Sequence, residues 1–285
     1  MTVTVRTAAE RDVATCGRIC YEAFRNIAER HAFPPDMPSP EAGVELVGAL
    51  VAHPAIHGLV AEIDGRVVGS NFLWELSPIA GVGPITIDPS VQNGGAGRAL
   101  MEGVLARAHE RRAPGVRLVK AAYHARSLSL YAKLGFDVRE PLAAVQGTPP
   151  GSRVPGCDVR AATGADLDAC EALHRAIHGF ERTGELRDAV AQGTAQVVLR
   201  GGALTGYTTG VGFFGYSVAR TDEDLQALIA AAPSYPGPGF LVPMRNTALL
   251  RWCLGNGLRV VQPMTLMSVG LYNEPRGAFL PSVIY

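Results

Sequence analysis

Residues 92–98, Gln92-Asn93-Gly94-Gly95-Ala96-Gly97-Arg98, are the stretch whose residue types are best suited to holding a ligand. Side chains at Gly94, Gly95, Ala96 and Gly97 are small or missing, so the main-chain N–H groups there are bare. The first four N–H groups of a helix have no partner inside it, and they lie at the positive end of the helix dipole. If the loop leads into a helix, its amides converge on an anion, and a pyrophosphate fits that description. A tight turn with no ligand asks for the same glycines. Two nucleotide-binding patterns are absent: no Lys-Ser/Thr pair ends the loop, and the spacing is not Gly-x-Gly-x-x-Gly.

The neighbouring residues supply the elements that would position this loop. Ile85-Thr86-Ile87 reads as a short β-branched strand, and Pro89 fixes its end because proline is excluded from central ladder positions. Beyond the loop, Leu100, Val104, Leu105 and Ala108 recur at helical spacing, with Glu102, Arg107 and Glu110 on the other side. Upstream, residues 2–6 alternate as a first strand, and residues 9–27 and 41–52 read as helices separated by a proline-rich break over 32–40. Residues 58–63 and 66–74 form a hairpin joined at Asp64-Gly65, a pair that tolerates the positive dihedrals of a two-residue turn. Residues 75–78 lead by a loop into the 85–87 strand. Downstream, 116–123 is a strand and 124–134 a helix, with Gly135 as its C-cap.

The spacing Gln92-x-x-Gly95-x-Gly97 after Asp88-Pro89 resembles the acyl-CoA-binding motif of the GNAT acyltransferase superfamily, Gln/Arg-x-x-Gly-x-Gly/Ala. Tyr131-Ala132-Lys133-Leu134-Gly135-Phe136 is similar to that family's later motif, and the likeness covers residues 3 to about 147. It implies a mixed α/β fold, a mainly antiparallel sheet flanked by helices. It also implies that amides of Asn93, Gly94, Gly95, Ala96, Gly97 and Arg98, with Gln92, hold the diphosphate of acetyl-CoA, and that Ile85, Thr86 and Ile87 pair with its pantetheine arm. Gly83-Pro84 would accommodate the bulge that splays the fourth and fifth strands. The resemblance places Tyr131 near the thioester sulfur. A phenol of pKa about 10 is a reasonable proton donor to a thiolate whose thiol has pKa about 8.5.

Two positions depart from the family pattern. His124 stands where many members carry an Asn against the pantetheine arm, and Val119 stands where some carry a catalytic carboxylate. Glu75 is then the nearest carboxylate by topology, with a water relay or capture of an already neutral amine as alternatives. The helix-loop-helix region usually walls the acceptor site, which makes Tyr21, Phe24, Arg25, Arg30 and His31 candidates for acceptor contact.

With 285 residues, the chain exceeds the usual size of one domain. Val159-Arg160-Ala161-Ala162 followed by Asp166 and Cys170 echoes Val5-Arg6-Thr7-Ala8 followed by Asp12 and Cys16, an internal repeat. The division expected is an N-terminal domain over 1–147, a Pro/Gly-dense linker over 148–157 and a second copy over 158–285. That copy has no Gln-x-x-Gly-x-Gly, and Cys253 falls where Tyr131 stands, so it is expected to shape the cleft or mediate dimerisation rather than to catalyse. Its helices are expected over 222–232 and 246–254 and its fourth strand over 212–218.

Lys plus Arg and Asp plus Glu number 26 each, which leaves no global field to recruit nucleic acid or an anionic membrane. No apolar run is long enough to span a bilayer and no signal-peptide pattern is present, so the expectation is a cytoplasmic protein. The five cysteines show no metal-ligand spacing, and no metal is expected. The activity these features imply is acetyl-CoA-dependent N-acetylation of a small-molecule amine, with a possible homodimer. The alternative is a non-catalytic acyl-CoA sensor or scaffold.

Overall fold

At the Asp64-Gly65 turn both residues have positive φ, 51° and 76°, and they set Ile63 opposite Arg66. This turn closes the first hairpin of a computed structural model that describes residues 2–284. The first half runs β1 (Val3–Thr7), α1 (Val13–Arg30), α2 (Pro40–Ala52), β2 (Ile56–Ile63), β3 (Arg66–Trp74), β4 (Ala80–Val82), β5 (Thr86–Ile87), α3 (Ala96–Glu110), β6 (Gly115–Ala121), α4 (Ala125–Lys133) and β7 (Asp137–Gln146). The second half runs β8 (Cys157–Ala161), α5 (Leu167–His178), α6 (Thr183–Ala191), β9 (Gln196–Arg200), β10 (Ala203–Thr208) and β11 (Ser217–Ala219). It continues with α7 (Asp222–Ala231), β12 (Phe240–Pro243), α8 (Thr247–Gly255), β13 (Arg259–Gly270) and β14 (Ala278–Leu280).

Local chemistry fixes the element ends. Ser39 caps α2 by accepting from the Ala42 N–H at 3.3 Å, and Pro40 sits at its first position, where its missing N–H costs nothing. Arg6 holds Asp12 through both carboxylate oxygens at 2.7 and 2.8 Å, and Asp12 Oδ2 accepts from the Ala9 N–H ahead of α1. The second half reproduces this device: Arg160 holds Asp166 at 2.8 and 2.7 Å, and Asp166 accepts from the Thr163 N–H. The repeat seen as a string of letters is therefore a repeated ion pair that fixes how each opening strand enters its helix.

Beyond the hairpin, the strand expected over 85–87 is shorter, and residues 80–82, read as loop, form β4. The strand expected over 212–218 survives only as β11. These runs pair over two or three residues, too few for an alternating pattern to register.

The two halves share one sheet. Its order is β1-β2-β3-β4-β6-β13-β7-β12, with β5 added beside β3, and a second sheet holds β14-β11-β10-β9-β8. Strand β13, from the second half, lies between β6 and β7 of the first, and β7 in turn lies between β13 and β12. Each half thus completes its sheet with a strand of the other. The core of the first half sits under α3, where Leu100, Met101 and Val104 are fully buried against Leu118 and Met267, the last carried in on β13. Each such side chain contributes about 1.5–3 kcal/mol by leaving water. No described helix is long and apolar enough to cross a membrane.

Candidate active site

The glycine loop is pinned from the side by side chains, which leaves its main chain open. Asn93 and Gly95 have φ of 74° and 87°, left-handed values that Asn tolerates and Gly adopts freely. Arg126, on α4, donates to Asn93 Oδ1 at 3.2 Å and also to Gln92 Oε1, while Gln92 Nε2 donates to the Ile87 carbonyl at 3.3 Å. Asp88 turns the chain by accepting from the Ser90 N–H at 2.9 Å. Among the described residues, nothing accepts a hydrogen bond from the N–H groups of residues 92–98. Gly95 is the N-cap of α3 and offers no side-chain cap, and a Cβ built on it would meet nothing within 4 Å. Free amides, a helix mouth and open space in front of them together make an anion seat.

Beside the loop, the sheet opens. β4 runs parallel to β6 through Ala80 opposite Val116 and Gly81 opposite Arg117. After Gly83-Pro84 the chain leaves β6, and β5 pairs with β3 alone. Trp74 holds this departure by donating its indole N–H to the Gly83 carbonyl at 2.7 Å. The facing edges of β5 and β6 are left without strand partners, an arrangement suited to an extended amide-bearing ligand.

Loop and splay share a cleft of about 380 Å³. Ile85, Thr86, Ile87, Gln92, Asn93, Gly95, Ala96, Gly97, Arg98, His124 and Tyr131 all border it. Gly94 lies in the loop and does not reach the wall. Tyr131 is 6% exposed, and burial pushes its phenol well above the ordinary value, so it is protonated at neutral pH. His124 is driven down to about 4, by burial first and then by Arg126, Lys120 and other nearby cations, and its Nε2 is buried without a hydrogen-bond partner. A neutral imidazole therefore faces the cleft.

Glu75 is a correction. Its carboxylate takes ion pairs from Arg107 and Arg111, both at 2.9 Å, and it borders a separate small cavity with Pro78, Ala108 and Pro114. Both of its oxygens are engaged by guanidiniums, and it stands outside the cleft. Val119 does border the cleft and offers no base. Of the helix-loop-helix candidates, Phe24 and Arg30 reach the cleft, Arg25 packs over the Tyr21 ring at 5.2 Å, and His31 packs against Tyr123 at 5.1 Å.

Sequence reasoning missed Asp36, Lys120, Tyr123 and Gln262, as well as Phe213, Phe214 and Met264 from the second half. Lys120 is 6% exposed with no partner at Nζ, and burial lowers it to about 8. Asp36 sits in the stretch read only as a proline-rich break, where a lone carboxylate gave no periodic signal. The second-half residues reach the site through the shared sheet and its flanking loops, which local patterns do not encode. The four cysteines that are buried, Cys16, Cys20, Cys170 and Cys253, are free, and burial pushes their thiols up, to about 11 for Cys16 and about 12 for the others. They behave as packing residues.

Residues 21–136 match the acetyltransferase (GNAT) family model. A search of curated proteins returns no match. Among solved structures, a Pyrococcus horikoshii protein provisionally described as an acetyltransferase superposes with a TM-score of 0.73 at 17% identity, covering 97% of this chain and 94% of that one. A GCN5-related N-acetyltransferase from Sphaerobacter thermophilus gives 0.63 at 15% identity, over 95% and 96% of the two chains. A tandem GNAT protein from the clavulanic acid biosynthesis pathway gives 0.57 at 15%, over 94% and 98%. At these identities the likeness is one of fold, and it extends over both halves.

Proposed function

Because residues 21–136 match the acetyltransferase (GNAT) family model and the fold follows that of GNAT proteins over both halves, we propose that the first half, residues 1–147, binds acetyl-CoA and moves the acetyl group to a primary amine of a small molecule by direct attack. The observation that carries this reading is the unbroken run of unpaired N–H groups over residues 92–98 at the mouth of α3, opening into the same cleft as Tyr131. Those amides hold the diphosphate, and Arg98 and Arg126 add positive charge beside it. The unpartnered edge of Ile85, Thr86 and Ile87 receives the pantetheine amides, and His124 stands as a neutral hydrogen-bonding group at the cleft wall.

Catalysis in this arrangement is mainly orientation: amine and thioester meet in a cleft with mostly apolar walls. Tyr131 gives its proton to the departing thiolate, which keeps the leaving group from returning. The second half, residues 158–285 beyond the 148–157 connection, supplies cleft wall rather than a second catalytic centre.

Calorimetric titration with CoA, followed by thiol release from acetyl-CoA across a panel of amines, tests the proposal. Saturable CoA binding with amine-dependent thiol release supports it. Binding with no turnover on a broad panel refutes the transferase, and absence of binding refutes the loop assignment.

A further inference from the structure

Asp36 lies in the α1–α2 loop on the wall of the cleft, and a residue of the other half of the chain orients it. Gln262, on β13, donates its Nε2–H to Asp36 Oδ1 at 3.1 Å, and Tyr123 donates its hydroxyl to Gln262 Oε1 at 3.3 Å. A carboxylate only accepts, so Gln262 must turn its amide nitrogen to Asp36 and its oxygen to Tyr123. Tyr123 is itself fixed by stacking on Phe33, with ring centroids 4.3 Å apart and planes within 8°. The carboxylate is thus held in one direction by a relay crossing from the end of β6, through β13, to the α1–α2 loop.

What this carboxylate lacks is a counter-charge. Among the described residues, no Lys, Arg or His forms an ion pair with it, and burial raises its pKa while the Gln262 hydrogen bond alone opposes that rise. Arg30 and Lys120 border the same cleft without pairing to it. A half-buried charge held without a partner in apolar surroundings is unfavourable unless a ligand completes it. The surroundings are apolar: Phe24, Ile27, Met37, Leu46, Phe213 and Met264 border the cleft, with Phe214 half exposed beside Phe213.

We infer that Asp36, aimed by Gln262, is the receptor and proton acceptor for the ammonium group of the acceptor substrate, and that this substrate is a cationic primary amine on an apolar, aromatic-sized body. This rests on the acetyl-transfer reading above. The ammonium gives one proton to Asp36, and the nitrogen lone pair then forms the C–N bond to the thioester carbon. The C–S bond breaks with Tyr131 protonating sulfur, and the second proton on nitrogen restores the phenol. Asp36 finally returns its proton to solvent, so the transfer releases one proton overall. The carboxylate missing at Val119 is replaced from another loop, and the exchanged strand that carries Gln262 makes the second half part of the acceptor site.

The test is calorimetric titration of the full-length protein, with and without CoA, using phenethylamine and its uncharged counterpart phenethyl alcohol. A hydrogen-bonded charge predicts a preference for the amine of roughly 10- to 100-fold. Asp36→Asn abolishes that preference, Gln262→Leu weakens it, and both variants keep the parent's CoA affinity. In thiol-release assays, Asp36→Asn loses most turnover with amines protonated at the assay pH and least with hydroxylamine, which is neutral there. Equal binding of amine and alcohol, no saturable amine binding, or a preference that survives Asp36→Asn overturns the inference. Failure of CoA to bind while the amine preference stands counts against the cofactor reading alone.

Discussion

The helices α3 and α7 occupy corresponding places in the two halves, and they settle the charge at their N-termini in opposite ways. α3 begins at Gly95 in a left-handed conformation with no side-chain cap and no acidic residue in its first turn. α7 begins at Thr221, whose hydroxyl accepts from the Asp224 N–H at 3.3 Å, and its first turn carries Asp222, Glu223 and Asp224. The second helix has its anion built in, and the first leaves that position open. The sheets differ in the same sense. Between β5 and β6 the first half is open, whereas in the second half β14 pairs with β11 and lies against β12. Where the first half has Tyr131 the second has Cys253, fully buried with its thiol pushed up to about 12. Duplication of a fold therefore preserves the ion pairs that shape it, Arg6 with Asp12 and Arg160 with Asp166, while the ligand end is free to close.

The sharpest way to break this contrast is to close the open mouth. Gly95→Val places a branched side chain where a Cβ now meets nothing within 4 Å, in the space assigned to the diphosphate. Its φ of 87° also strains a β-branched residue by about 1–3 kcal/mol. Calorimetry on the folded variant, held below its lowered Tm, should find no saturable CoA binding, and undiminished affinity would remove the basis for distinguishing α3 from α7. Next in size is the pair Tyr131→Phe and Cys253→Ala. The first should lower amine-dependent thiol release by about 10²–10⁴-fold while leaving CoA affinity in place. The second should leave turnover intact, and an equal loss in both would mean that the second half also takes part in chemistry.

The asymmetry was partly legible in the sequence. Gln92-x-x-Gly95-x-Gly97 and its absence near Thr221 are local patterns, and local patterns report backbone conformation directly. The hairpin at Asp64-Gly65 and the start of α2 at Pro40 came from the same source. The strand exchange was not legible, because β13 reads as an ordinary strand wherever it pairs, and nothing in Val260, Leu266 or Met267 names the neighbour it will find. Glu75 shows the cost of ranking a base by position along the chain: Arg107 and Arg111, more than 30 residues away, decide its role. Asp36 was passed over for the converse reason, since its partner Gln262 lies 226 residues further on.

A smaller effect sharpens the comparison from the side of what the halves share. Arg6 holds Asp12 below the usual carboxylate range, chiefly by hydrogen bonding, and Arg160 does the same for Asp166. A carboxylate depressed in the folded state adds stability that is present above its unfolded pKa of about 4 and is lost as pH falls through the folded value. Both arginines are partly exposed, which weakens each pair by solvent screening. Urea midpoints should thus fall as pH drops below about 6.5, where the buried neutral His124, His174 and His178 take up protons only on unfolding, and fall further in the acid range where the two aspartates protonate. The double variant Asp12→Asn, Asp166→Asn should start lower at neutral pH and decline less steeply. A slope identical to the parent's would show that the repeated pairs do not contribute.

The smallest expected effect lies at the closed mouth. Thr221→Ala removes one neutral hydroxyl cap and should lower stability by about 1 kcal/mol, read as a shift in urea midpoint at constant slope. It should not confer CoA binding, because Asp222, Glu223 and Asp224 remain, and Asp224 is 1% exposed and held by Arg200 at 3.0 Å. Removing a cap exposes N–H groups, but three carboxylates still repel a diphosphate from that end of the helix. CoA binding that appears at α7 in this variant would mean that the hydroxyl alone had kept the second mouth shut, and the difference between the halves would then rest on a single side chain rather than on charge, strand β14 and the missing glycines together.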